Sequence, residues 1–300
     1  MKKVKGSLLI VMGASCYGML GTYVKMAYRA GFNTAEVTIA QFGLGFAGLF
    51  LLTLFRRPEK RVAGRSSIKS PIRLMIAGTS LGLTSIFYYL AVKYIAVSVA
   101  IVLLAQSVWM GVLLEAIVKK RMPGIRQLIP VLVIMIGTAL ATDLFHQSAG
   151  LNWKGLAFGI MGAFCYTATM YSANHLEIHI PPLKRSLYMI LGGLILILLV
   201  FHGSIDRQFS YKIFAGWGLV VALFGTILPP LLFTRGMPLA GIGLGAILAS
   251  IEIPISVIMA NLLLNERVGP GQWIGVILIL GAVVGMNIPE GRTVKIKNTI

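Results

Sequence analysis

Lys5-Gly6, followed by Met12-Gly13-Ala14-Ser15-Cys16-Tyr17, is the stretch that decides the architecture, because it comes back later in the chain. Lys154-Gly155 is followed by Met161-Gly162-Ala163-Phe164-Cys165-Tyr166, each matched residue displaced by 149. A weaker echo pairs Arg121 and Gln127 with Arg267 and Gln272, at displacements of 146 and 145. A Lys-Gly start and a Gly-Ala-x-Cys-Tyr core held in one register argue for two related halves rather than for chance.

Both copies sit in apolar runs, and so does most of the chain. Hydrophobic residues make up 57% and charged residues 12% of its 300 residues, with a mean hydropathy of +0.86. Soluble domains carry about a quarter charged residues. This balance excludes a disordered chain, a disulfide-stapled secreted module and almost any soluble enzyme, and it assigns lipid as the main solvent. A spanning helix needs about 20 mostly apolar residues. Ten such runs lie at 7–27, 35–55, 72–92, 96–118, 125–143, 153–173, 185–201, 213–233, 241–263 and 271–288. Lys2, Lys3 and Lys5 before the first run resemble a signal peptide, but the run continues to Lys25 without a cleavage site, so it is read as a span. Cys16 and Cys165 lie inside runs, as small reduced side chains do, rather than in a disulfide framework or a metal site.

The charge balance is 27 basic against 9 acidic residues, hence +18. The basic residues sit in the gaps between runs and do not interleave with aromatics, which speaks against a nucleic-acid surface. The two termini and the connectors on their side hold 20 of the 27 basic residues. By the positive-inside rule both termini are cytoplasmic. Five spans per half is an odd number, so the second half enters the bilayer from the opposite face. The expected fold is therefore an all-α integral membrane protein, with ten transmembrane helices arranged as two inverted five-helix repeats. The repeats cover 1–143 and 153–288, joined by a linker at 144–152 and followed by a cytoplasmic tail at 289–300. Gly155 with Gly159, Gly241 with Gly245 and Ala249, and Gly281 with Gly285 are spaced by four, as in close helix packing. Pro229-Pro230 and Pro254 fall inside runs, where kinks beside a cavity are expected.

Polar groups inside spans are costly and turn inward. Span six carries Tyr166, Thr167, Met170, Tyr171 and Asn174, a stripe that faces either a cavity or a neighbouring helix. Tyr17 is the first-half counterpart of Tyr166. Span three offers Thr84, Ser85, Tyr88 and Tyr89, and span four offers Gln106 and Trp109 one turn apart. A cleft lined by Tyr and Trp with a few polar anchors suits a small amphipathic molecule. Glu252 is the one carboxylate near the middle of a span, flanked by Ser250, Pro254 and Ser256. Three roles fit it: taking up and releasing a proton, binding a cationic group of a cargo, or bonding between helices as a structural group. Glu115 near Lys119 is read as a solvated interfacial pair, and Lys25 as a snorkelling side chain at a span end. His175 and His179 lack a third ligand nearby, so no metal is expected. No phosphate-binding Gly-x4-Gly-Lys-Ser/Thr, His-Glu-x-x-His or Gly-x-Ser-x-Gly motif occurs, so neither a cofactor nor an enzymatic activity is expected.

Span nine, Glu252-Ile253-Pro254-Ile255 running to Leu264-Asn265-Glu266-Arg267-Val268, carries a resemblance. With its mid-span Pro, apolar run and terminal Glu it resembles the ten-span EamA-type transporters of the drug/metabolite transporter superfamily, over nearly the whole chain. The first-half counterpart, Gln106 to Arg121, departs from the pattern: no Pro follows Gln106, and Lys120 stands near the place of the terminal Glu. The resemblance implies an inner-membrane secondary transporter that exports a small organic metabolite, such as an amino acid or a related compound, by alternating access. Ion coupling stays open between a proton antiporter, a sodium-linked carrier and a uniporter, and the partners are that substrate and the bilayer. The rival readings are an integral-membrane enzyme or flippase acting on lipid-linked substrates, and a scaffold with no cleft between its halves. Reporter fusions after Arg65 and after Ile300 should both report cytoplasm; a periplasmic signal at either point would overturn the ten-span topology.

Overall fold

Helix α1 (Lys2–Arg29) opens the first repeat, followed by α2 (Thr34–Phe55) and α3 (Lys69–Tyr94). The fourth pass is split into α4 (Val97–Leu104) and α5 (Ser107–Lys119), and α6 (Ile125–Ala141) completes the repeat. The second repeat runs α7 (Trp153–His175), α8 (Pro182–Phe201), α9 (Trp217–Ala222) continued through a π-turn into α10 (Leu228–Ala240), the split pair α11 (Ile242–Ala249) and α12 (Glu252–Leu264), and α13 (Pro270–Asn287). This computed structural model describes residues 2–55, 69–95, 97–141, 152–205, 209–265 and 268–287. The expected linker up to residue 151, the tail at 289–300 and the Glu266-Arg267 pair lie outside the described residues. Among the described residues, eight helical runs are long and apolar enough to cross a membrane, and two apolar helices, Ile125–Ala141 and Pro270–Gly285, are shorter. The chain is an all-α integral membrane protein of ten helical passes.

The eighth pass differs from its expected limits of 213–233. Tyr211–Ala215 forms a 3-10 turn, the helix begins at Trp217, and it runs on past Pro229-Pro230 to Ala240. The prolines do not end it, because the preceding turn widens: the Leu228 N–H bonds the Leu223 carbonyl five residues back, and the missing proline donors are absorbed there. Gly241, at φ +93°, stops the helix in a conformation that an L side chain resists.

Contacts between elements obey an exchange rule. α3 packs on α7 and α8, and correspondingly α10 packs on α1 while α9 packs on α2. Two pairs map onto themselves when the halves are swapped, α2 with α8 and α6 with α13, and the fourth pass meets the ninth through α5 and α11. A pseudo-two-fold axis through these self-paired contacts is what an inverted repeat produces.

Close backbone approach occurs at positions other than the four-residue glycine spacings. Gly78 on α3 and Gly192 on α8 face each other's helices, and a Cβ on either would collide with the carbonyl of Met189 or Met75. Gly137 and Gly275 do the same across α6 and α13. Gly155 and Gly159 do pack, against Ile95 and Leu103, whereas Gly281 and Gly285 face open space. Spacing on one helix marks a face; only the partner helix makes it a contact. Gly192→Val should therefore destabilise the protein by about 1–3 kcal/mol, the usual cost of overpacking. Gly281→Val should leave the melting temperature in detergent unchanged.

Candidate functional site

Between the two repeats lies a cavity of about 300 Å³. Its first wall is the C-terminal half of α1: Tyr17, Leu20, Gly21, Val24, Lys25 and Tyr28. α2 adds Gln41 and Phe42, and α3 adds Leu81, Thr84, Ser85, Tyr88 and Tyr89. Ile101 and Leu104 come from α4, Tyr166 from α7, Gly225 from the π-turn, and Glu252 and Ser256 from α12. The space extends from mid-membrane, at Tyr17, to the last turn of α1, on the face away from the start of the chain.

Aromatic rings close its floor. Tyr17 meets Tyr166 edge-on at 6.1 Å and 79°, and meets Phe233 at 5.7 Å and 75°. The Tyr166 hydroxyl donates to Glu252 Oε2 at 3.3 Å, the one hydrogen bond to this carboxylate among the described residues. Glu252 sits where the ninth pass tightens. Pro254 has no N–H to offer the Ser250 carbonyl, so Ile253 donates to it instead at 3.0 Å. Ser250 and Ile251 likewise bond three residues back, to Ile247 and Leu248. This tightening starts α12 at Glu252 and places a carboxylate in the first turn of that helix. Beside it a hollow of about 20 Å³, lined by Ser107, Tyr166, Ser250 and Glu252 among others, has room for about one water.

The sequence model of the EamA-like transporter family matches this chain twice, over residues 4–142 and 153–288. The chain belongs to the EamA-like transporter family. It is 28% identical over 299 residues to a Salmonella typhimurium (strain LT2) protein described as an uncharacterized inner membrane transporter, YicL, covering 96% of this chain and 97% of that one. A solved crystal structure, described only as that of a protein, superposes with a TM-score of 0.75 at 14% identity, covering 94% of this chain and 97% of the other. That likeness shows the fold.

Within the two EamA-like repeats, the split passes align residue for residue. α4 and α11, α5 and α12, and the left-handed caps Lys120 and Asn265 all differ by 145. Ser107, not Gln106, is thus the counterpart of Glu252, and Arg121 rather than Lys120 is the counterpart of Glu266. The register read from sequence was off by one because it aligned the polar residues instead of the helix break.

The structure brings Tyr17, Thr84, Tyr88, Tyr166, Glu252 and Ser256 together on the cavity. It places the other seven candidates elsewhere. Gln106 bonds the Val102 carbonyl and accepts the Trp109 indole N–H at 2.8 Å, with Trp109 38% exposed on the outside of the bundle. Thr167 bonds the Ala163 carbonyl, Met170 is fully buried, and Asn174 donates to the Met237 carbonyl at 2.5 Å. Tyr171 turns outward and stacks on His175 at 4.8 Å. Ser250 bonds the Ile247 carbonyl and reaches only the small hollow. Below the floor, the span-six stripe meets a neighbouring helix instead of open space.

Two further readings change. Glu115 is paired with Lys119, but it is 6% exposed and not solvated: its other oxygen accepts from Gln127 and from the Gly243 N–H, both at 3.1 Å. Lys25 lines the cavity rather than only a span end. Gln41 was missed, although it is an amide in an otherwise apolar stretch. It is 2% exposed, accepts from the Tyr89 hydroxyl at 3.4 Å, and its carbonyl accepts from Thr226 at 2.8 Å. Among the described residues no group of three His, Cys, Asp or Glu side chains could hold a metal ion. Because Ser107 shares the hollow with Glu252, Ser107→Glu should destabilise the protein and Glu252→Gln should rescue it. The coupling expected in a double-mutant cycle is about 0.5–3 kcal/mol, and Gln106→Glu should show none.

Proposed function

We propose that this chain is a secondary transporter of the inner membrane, with both termini in the cytoplasm, exporting a small organic metabolite by alternating access between its two repeats. The observation that carries this reading is the match between the open cavity and a closed seal at the other face. Gly21, Val24 and Lys25 on α1 correspond, 149 residues on, to Met170, Ala173 and Asn174 on α7. Ile101 and Leu104 correspond, 145 residues on, to Ala246 and Ala249. The first set lines the cavity. In the second set, Met170, Ala173, Ala246 and Ala249 are packed with Ile10, Ala14, Phe233 and Met237 into a buried cluster below the tyrosine floor.

If the repeats exchange conformations, the seal becomes the cavity and the cavity becomes the seal. Glu252, at the boundary, is reached from either side, and a carboxyl there can carry a proton through the cycle. The direction of transport rests on the resemblance to EamA-type carriers alone.

Arg185 holds the seal shut. Fully buried at the start of α8, it donates to the carbonyl oxygens of Ser172 and Ala173 at the end of α7, at 3.3 and 2.7 Å, and to Thr234 on α10 at 2.9 Å. Asn174 adds its bond to Met237, and Ser186 pairs with the Thr234 hydroxyl at 3.0 Å.

Single cysteines test this in a background with Cys16 and Cys165 replaced by Ala. A cysteine at Gly21 should react with an impermeant thiol reagent added from the periplasmic side, and one at Ala246 should not. Adding Arg185→Met should reverse the pattern, protecting position 21 and exposing position 246 to reagent from the cytoplasmic side. Unchanged reactivity at both positions would remove alternating access. In proteoliposomes, Glu252→Gln should fold normally and lose proton-driven transport; transport unchanged from pH 5.5 to 8 would exclude proton coupling through this residue.

A further inference from the structure

Among the described residues Glu252 has no cationic partner. A carboxylate at membrane depth requires one, or a proton. The groups facing it are phenolic. Tyr166 bonds it, Tyr17 packs on Tyr166, and Tyr88 and Tyr89 stand across the cavity with their rings 6.0 Å apart. Tyr28 and Lys25 lie further along α1, Lys25 eight residues beyond Tyr17, or about 12 Å along a helix. α4 and α13 bring no titratable side chain, α6 brings only Arg126 in its first turn, and α12 carries none besides Glu252.

Resting on the transporter reading above, we propose that the cavity takes an organic monocation, an alkyl- or arylammonium of metabolite size, whose nitrogen docks on Glu252 inside the tyrosine cage in place of a proton. Three observations carry it. Aromatic faces attract a desolvated ammonium, and the hydroxyls of Tyr17 and Tyr88 have no hydrogen-bond partner among the described residues, so they remain for N–H donors or for the ligand's own polar groups. Leu20, Val24, Phe42, Leu81, Ile101 and Leu104 give the wall apolar faces that match a hydrocarbon or ring body, while Gln41, Thr84, Ser85 and Ser256 add a few polar groups. One carboxylate accommodates one positive charge, so ammonium and proton exclude each other. As the ammonium arrives, the carboxyl O–H gives its proton to water in the cavity, and one cation replaces one proton with no net change of charge at the site. An α-amino acid fits less well, because its own carboxylate, one carbon from the ammonium, would be driven against Glu252.

The test is isothermal titration of the full chain in neutral detergent, with phenethylamine, tyramine and butylamine as probes. Phenethyl alcohol, 3-phenylpropionate and phenylalanine serve as charge controls. The amines should bind, the controls at least tenfold more weakly. At pH 5.5, paired buffers of different ionisation enthalpy should report about one proton released per amine, and affinity should weaken relative to pH 8. Glu252→Gln, checked for an unchanged melting temperature, should lose amine binding at least tenfold; if that variant does not fold, the charge series on the unmodified chain decides. Binding of the alcohol or of phenylalanine as tight as that of the amine, amine affinity independent of pH, or no amine binding overturns the proposal. Those results leave the transporter reading standing where the cysteines alternate; cysteines that fail to alternate count against that reading whatever the amines do.

Discussion

At membrane depth no water pairs a backbone N–H or C=O, so each departure from a regular helix has to supply its own substitute bonds. The departures in this protein gather around the cavity for that reason. Pro254 removes a donor, and the chain answers by tightening at Ser250-Ile251, which starts α12 at Glu252. Pro229 and Pro230 remove two more, and the answer is the π-turn that presents Gly225 to the cavity wall. Irregular backbone is tolerated where protein or a water-filled space surrounds it, and the irregularity in turn positions the one mid-membrane carboxylate.

The repeats share this design without sharing its chemistry. The fourth pass tightens at Gln106 and Val108, which bond three residues back, as the ninth does at Ile251 and Ile253, although Trp109 stands where the ninth has Pro254. Ser107 stands where the ninth has Glu252. Symmetry therefore sets the framework, a cavity on one face and its packed image on the other, while the acid is supplied once. A second carboxylate in the same hollow would repel the first.

Two buried charged side chains organise the ends of the second and seventh passes. Asn33 and Glu36 form a reciprocal cap at the start of α2, each side chain bonding the other's backbone N–H at 3.0 and 2.7 Å. The remaining Glu36 oxygen accepts from the Ser210 N–H at 2.6 Å, tying the loop before α9 to the first repeat. At the opposite face Arg185 meets helix C-terminal carbonyls instead, where the dipole favours a cation. Acid at an N-terminus and base at C-termini stabilise the two faces by the same electrostatics with opposite sign.

Ten passes, two halves and their inverted relation were legible in the sequence, because span length and charge distribution are imposed by the bilayer and not by contacts between helices. Tyr17, Tyr166 and Glu252 could be singled out for the same reason: a polar group in an apolar run turns inward whatever it meets there. What it meets was decided by tertiary structure. Met170 and Asn174 share a helix face with Tyr166, yet they lie below the tyrosine floor, packed against α10. Gln41 joined the cavity only because α2 packs beside the π-turn, and Gly78 and Gly192 mattered only because their helices cross. The one-residue register between Ser107 and Glu252 also needed the fold, since it follows the break in backbone hydrogen bonding, which residue types alone do not mark.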